Sequence, residues 1–437
     1  MSQIVYDNIL ASLYLLVWIV TFVVLHRKHR RLDAMSAIML MYIIYNVFSL
    51  LTINDPLFSM TFEPLTVFPY IYLYMMLMVA LSPAIYFHNN EPKGIEYEET
   101  RVMKPFCWMV IICAVIIIPD IVGNFNEGIV KLFTDSDAGK DAYSEQLSEA
   151  SDKGSSISNI PSVIFNASYD LILFFFFYYL TQEKKDVPLL LGLSVCLVIG
   201  VLQPVMYGQR TGVINGILTI FAAYMMFRQF INKKLAKSIE VIGMTGVVLA
   251  ILPVAAITFS RFGTTNAGVM GFLNWYVGQG SIYFNNYGLD AGGIRYGDRI
   301  LNLFKRVIDP STPKNYIERR MKYHNLDMDD DRFTTFVGDF CIDFGPILTV
   351  VIFILFAWYI LRNIKYSENG KIKTHQLMLL YFTICVCMQG GMYLFAYADT
   401  GNLRIIVLFA FVYYLKLHEK LLLAFPKREY DGSKEKE

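Results

Sequence analysis

The chain has 437 residues, of which 55% are apolar and only 17% charged, with a formal net charge of +1. Soluble domains carry roughly a quarter charged residues, so the composition excludes an ordinary soluble protein, and the near-neutral balance argues against a nucleic-acid partner. Stretches of about 20 apolar residues, each long enough to cross a bilayer, recur along the whole length and predict an all-α polytopic membrane protein with about eleven transmembrane helices.

In chain order the spans are expected near 5–25, 34–53, 67–87, 107–123, 162–181, 188–207, 211–228, 239–260, 342–361, 375–397 and 403–422. The first is too long for a signal-peptide core and is followed by the basic cluster His26 to Arg31 in place of a small-residue cleavage site, so it reads as a span that stays. The basic segments His26–Arg31, Lys93–Lys104, Lys184–Lys185, Arg228–Lys237, Arg362–Lys373 and Lys427–Arg428 fall after alternate spans and therefore on one face. Lys and Arg are retained in the cytoplasm. The N-terminus is then expected outside and the C-terminus inside, with 423–437 a cytoplasmic tail and the segments 124–161 and 261–338 two outer loops. The halves show no internal repeat, and the chain reads as a single integral membrane domain, 1–437. All six cysteines (Cys107, Cys113, Cys196, Cys341, Cys385 and Cys387) lie in or at the edges of spans, so no extracellular disulfide framework is expected.

The polar residues concentrate in the second half. Asp170 lies within a span, where a carboxylate marks a functional site or an ion pair between helices. Gln203-Pro204 is expected to break the sixth span just before the turn Tyr207-Gly-Gln-Arg-Thr-Gly212. Arg210 in that turn, Arg261 at the end of the eighth span and Arg404 at the start of the last are expected at the outer surface, against the positive-inside bias. A guanidinium is always charged and its planar fork suits phosphate oxygens; the plainer reading is a snorkelling side chain.

The first outer loop, 124–161, is polar and poor in aromatics and reads as a solvated cap. The long loop, 261–338, differs. Its segment Gly271 to Tyr287 is rich in aromatics and amides and reads as interfacial or re-entrant. Asn274, Trp275, Tyr276, Gln279 and Tyr283 offer ring faces and amides suited to sugars. The stretch Ile317–His324 is expected to form a short surface helix carrying His324, a candidate general base or a solvated side chain. Asp327 to Asp331 are carboxylates of a type that can hold a cation, but they lack calcium-loop spacing and read as solvated, so no metal is expected. Asp339 and Asp343, four residues apart where the loop enters the next span, share one helix face. They are candidates for orienting or deprotonating a hydroxyl; the alternatives are a helix cap and packing. No P-loop, zinc motif, nucleophile elbow or dinucleotide fingerprint is present.

The Gly-Gln-Arg-Thr-Gly turn, the arrangement of spans, the large late outer loop and its exit Thr334 to Gly345 resemble the Wzy-type oligosaccharide repeat unit polymerases of O-antigen and capsule synthesis. The architectural likeness covers most of the chain, the local motifs some thirty residues. The resemblance implies a GT-C-like glycosyltransferase of the bacterial inner membrane, acting on its outer face. It implies undecaprenyl-pyrophosphate-linked glycans as donor and acceptor, a flippase and a chain-length regulator as companions, and no cofactor or metal. On that reading Arg210, Arg261 and Arg404 hold the pyrophosphate, Asp339, Asp343 or His324 handles the acceptor, and residues 274–287 guide the glycan. The alternatives are a ligase using the same carrier, or a flippase for lipid-linked sugars.

Overall fold

The computed structural model describes residues 3–29, 32–98, 100–134, 160–206, 210–262, 268–313, 316–328, 332–393 and 399–424. Its helices are α1 (Gln3–His29), α2 (Ala34–Ile53), α3 (Val67–Asn89), α4 (Met103–Thr134), α5 (Ile160–Thr181), α6 (Val187–Met206), α7 (Arg210–Phe227), α8 (Lys233–Phe262), α9 (Gly268–Tyr283), α10 (Asn302–Ile308), α11 (Tyr316–Lys322), α12 (Thr335–Asn363), α13 (Thr374–Gln389) and α14 (Asp399–Ala424). Among the described residues ten of them, α1 to α8, α12 and α14, are long and apolar enough to cross a membrane. Helices dominate because lipid offers backbone N–H and C=O groups no partners, so each must be satisfied within its own segment. The protein is thus a multi-pass all-α membrane protein.

Large apolar side chains such as Leu13, Leu16, Val20, Val241, Ile242, Val248 and Leu249 stand exposed on α1 and α8. A continuous apolar surface of this kind suits lipid and not water. Inside, α5 contributes a fully buried run from Leu171 to Phe175, and aromatic contacts such as Trp18 on Tyr42, 4.6 Å between ring centres, tie neighbouring helices.

Successive helices alternate between two ends. At one end, Asp33 caps α2 and meets His88 Nδ1 at 2.5 Å, Lys104 pairs with Asp186, and the short strands β1 (Gly94–Glu96) and β2 (Lys371–Lys373) pair in parallel. The opposite end carries the 285–345 region, and Gln3 and Ala424 stand at different ends.

Two helices do not cross as simple rods. Helix α9 runs antiparallel along α2: Trp275 stacks on Phe58, Gly278 lies against Phe48, and Ser281 reaches Asn46. A Cβ at Gly278 would sit 2.3 Å from the Phe48 carbonyl carbon, so only glycine permits this approach. Ser49 Oγ donates to the Gly278 carbonyl at 2.6 Å and lies 3.0 Å from Ser281 Oγ. A pentad of wider turns, Phe284–Gly288, then ends the helix. Helix α12 reverses at Gly345, whose φ of 76° and ψ of 161° are not helical. The rings of Phe336 and Phe353 stack at 5.5 Å, although 17 residues of straight helix would hold them about 25 Å apart. Thr335–Phe344 is therefore an arm folded back on the helix that follows. It starts where α13 stops, with Thr335 N–H donating to the Met392 carbonyl at 2.8 Å and Phe336 N–H to the Gly390 carbonyl at 2.9 Å.

These features change the expected boundaries. Among its described residues the long polar interval contains three α-helices, α9 to α11, the first packed within the bundle. The span expected from 342 begins seven residues earlier as the folded-back arm. At the tenth expected span, 375–397, α13 is only 16 residues long and buried over nearly its whole length. Residues 124–134 continue α4 and 160–161 open α5; the rest of the expected first loop and most of the tail lie outside the described residues.

Candidate functional site

The loop-bearing end is organised around two aspartates of the folded-back arm. Asp339 and Asp343 lie one helical turn apart and both are 0% exposed. Arg299 Nε donates to Asp339 Oδ1 at 2.8 Å, with both side chains fully buried. The backbone N–H of Arg299 donates to both Asp343 oxygens at 3.1 and 3.2 Å, and that of Ile300 to Oδ2 at 2.7 Å. The cost of burying two carboxylates is thus offset by charge-assisted donors from one short stretch of the loop. In this conformation neither aspartate presents an oxygen to solvent; both clasp the loop to the arm.

A second cluster braces the first. Asp298 is fully buried and accepts from Lys322 Nζ at 2.6 Å and Tyr323 Oη at 2.5 Å, with Lys305 also paired to it. Burial acts to raise the Asp298 carboxyl, but the hydrogen bonds from Lys305, Lys322 and Tyr323 outweigh it and hold the group below its ordinary value. Arg319 donates to the Asp298 carbonyl at 2.9 Å, and Arg295 donates to the Met328 carbonyl at 2.8 Å while lying over the Tyr323 ring. Asn402 joins this assembly to α14, accepting from Leu303 N–H at 3.1 Å and donating to the Ile300 carbonyl at 2.8 Å.

Beside the cluster lies a cavity of about 230 Å³ lined by Arg295, Arg320, Tyr323, His324, Leu326, Asp327 and Met328. His324 is exposed, and its Nδ1 lies 2.8 Å from the Met321 carbonyl. A carbonyl only accepts, so Nδ1 carries the hydrogen and Nε2 is the basic nitrogen of the neutral ring. Asp327 is the described carboxylate of the Asp327–Asp331 run and lines this cavity; Asp329 to Asp331 lie outside the described residues.

The three arginines share this end by backbone position. Arg210 opens α7 and Arg261 stands one residue from the end of α8, their side chains lying outside the described residues. Arg404 is 26% exposed; its Nε donates to the Asn166 carbonyl at 2.8 Å, its NH1 lies 3.8 Å from Asp170 Oδ1, and it covers the Tyr169 ring. Asp170 therefore meets α14 through Arg404.

The aromatic and amide residues of α9 line up with buried neighbours. Gln279, 0% exposed, accepts from Phe333 N–H at 3.2 Å; Tyr276 packs edge-on to Phe333; Arg332 lies over the Tyr283 ring at 4.7 Å. Asn274 Oδ1, Trp275 Nε1, Gln279 Nε2 and Tyr283 Oη are buried with no hydrogen-bond partner among the described residues. Buried polar atoms are ordinarily hydrogen-bonded, so this 16-residue helix retains unused hydrogen-bonding capacity.

The structure thus brings Asp339 and Asp343 to Arg299, and His324 to Arg295 and Arg320. The sequence alone pointed to neither Arg299 nor the Asp298 brace. The available signal was indirect: a carboxylate inside an apolar run needs a partner, and the preceding loop is rich in Arg and Lys from Arg295 to Arg332. No family model, curated protein or solved structure matches the chain.

Proposed function

We propose that the protein is an integral-membrane glycosyltransferase that polymerises oligosaccharide repeat units carried on undecaprenyl pyrophosphate, with its loop-bearing end facing outward from the bacterial inner membrane. The observation that carries this reading is the grouping of an exposed imidazole with two arginines around one cavity, at the end where Arg210, Arg261 and Arg404 also sit. A lipid-linked donor brings its own leaving group, so no nucleotide site is required. When the anomeric carbon–oxygen bond to the lipid diphosphate breaks, negative charge develops on phosphate, and fixed guanidinium groups stabilise it. The acceptor hydroxyl forms the new glycosidic bond and passes its proton to His324 Nε2. Asp339 and Asp343 act in this scheme as positioning residues, holding Arg299 and the loop so that the cavity keeps its shape. The unsatisfied amide, indole and phenol groups of α9 offer hydrogen bonds to the glycan.

The test is polymer synthesis in a strain lacking its own polymerase, with protein level monitored. His324→Ala is expected to reduce polymer by about 10²-fold or more, the usual contribution of a general base. Arg404→Ala is expected to leave single repeat units attached to the acceptor lipid. Full-length polymer from both Arg210→Ala and Arg261→Ala at normal protein level would remove the pyrophosphate assignment. Accumulation of lipid-linked polymer, in place of single units, would identify a ligase instead.

A further inference from the structure

At the end away from the loop, three residues from distant parts of the chain meet. Glu98 follows β1, His375 opens α13 just after β2, and Glu419 lies in α14. One ligand-type atom from each falls within 4.8 Å of the others. The meeting is set by strand register. Glu96 and Lys373 are partners in the parallel pair, so Glu98 and His375 stand two residues on along both chains.

The distances favour an ion between these groups over direct bonds among them. His375 Nδ1 lies 4.0 Å from Glu98 Oε1 and 3.7 Å from Glu419 Oε2. A hydrogen bond needs about 2.7–3.2 Å. Two ligands about 2.1 Å from a tetrahedral cation stand roughly 3.4 Å apart. Small side-chain shifts would convert the present spacing to coordination. A second observation points the same way. His375 is 4% exposed, and its Nδ1, facing both carboxylates, has no hydrogen-bond partner among the described residues; neither has the buried Oε2 of Glu98. Lys373 pairs with Glu419 through Oε1, leaving Oε2 toward the imidazole.

We propose that Glu98, His375 and Glu419 form a binding site for a divalent transition cation of the zinc type, which ties the β1 and β2 segments to the end of α14. One imidazole and two carboxylates are a ligand set that zinc accepts, with water completing four-coordination. The site is independent of the glycosyl-transfer reading and lies at the other end of the bundle from the cavity beside His324. It is also separate from the Asp327–Asp331 run.

The experiment uses the full-length protein purified in detergent, stripped with chelator, then titrated with Zn²⁺ or Co²⁺. The wild type is expected to retain about one Zn²⁺ per chain after desalting and to melt at a higher temperature with the metal than without. Bound Co²⁺ should give the intense visible bands of a four-coordinate nitrogen–oxygen site. His375→Ala and Glu98→Gln should each weaken Zn²⁺ binding by more than the roughly tenfold seen for loss of an outer-shell partner. Wild-type protein that retains no Zn²⁺, or variants that retain as much as wild type, would overturn the proposal in favour of a plain ion-pair cluster. Should the variants fail to fold, the Co²⁺ spectrum of the wild type decides: weak bands of a fully hydrated ion count against the site.

Discussion

The two ends of the bundle handle charge in opposite ways. At the loop-bearing end Arg299 and Asp339 pair with neither side chain exposed, and Asp343 and Asp298 are also fully buried. At the other end the pairs Lys104–Asp186 and Arg228–Glu240 leave between 31% and 47% of each side chain in solvent. Exposed pairs are worth about 0–1 kcal/mol, whereas removing one partner of a buried pair costs about 3–5 kcal/mol. Charge at the loop end is therefore fixed before any ligand arrives, the condition for electrostatic catalysis; at the other end it is mostly a solvated rim. The Asp33–His88 pair and the cluster of Glu98, His375 and Glu419 depart from that rim because they are largely buried.

The sharpest way to break this contrast is Arg299→Ala. It deprives Asp339 of its guanidinium partner, and a loss of about 3–5 kcal/mol is expected. Thermal melting of the purified protein, or protease attack within 295–345, would report it. The double change Arg299→Met with Asp339→Leu should recover much of the loss, because two matched apolar groups need no partner. A single variant that melts like the parent would mean that the buried cluster is not what holds the loop.

Next in size is Gly345→Ala. The glycine's backbone angles are costly for any L-residue, about 1–3 kcal/mol, and a Cβ there would lie 3.2 Å from Ile294 Cδ1. The arm would then be pushed from its place beside Phe353, and Asp339 and Asp343 with it. A lower melting point is expected and, on the proposed function, weaker polymer synthesis even where protein accumulates.

That arm also shows where sequence reading succeeds and where it stops. Apolar runs of bilayer length were plain from composition, and so was their alternation between two ends. The reversal at Gly345 was not, because Thr335 to Asn363 is apolar over most of its length and hydropathy carries no sign of direction. Gly345-Pro346 was the one local clue, since that pair punctuates regular structure. His324, Arg404 and the α9 amides were readable as unusual residues in unusual places. Arg299 was not, because its importance rests on partners 40 and 44 residues away. The register that joins Glu98 to His375 is longer in range still.

Acid should separate the ends a third way. The folded-state value of Asp298 is depressed, so its stabilising contribution is present above the unfolded carboxylate value, about 3.9, and is lost as pH falls through the lower folded value. The 295–328 segment should therefore resist protease at neutral pH and loosen below about pH 4. Asp298→Asn should be less stable at neutral pH and flatter in its acid response. An unchanged acid profile in that variant would show that Lys305, Lys322 and Tyr323 are not braced through Asp298.

The smallest expected effect is the control on which the contrast depends. Lys104→Ala removes half of an exposed pair and should cost no more than about 1 kcal/mol. That cost should fade in high salt, since the screening length drops to about 3 Å at 1 M, comparable to the 3.0 Å between Lys104 Nζ and Asp186 Oδ2. The loss in Arg299→Ala should persist in the same salt, because ions do not reach a pair with no exposed surface. If salt diminished both losses equally, the loop-bearing end would be as wet as the other and its arginines no better placed to meet the leaving phosphate of the proposed reaction.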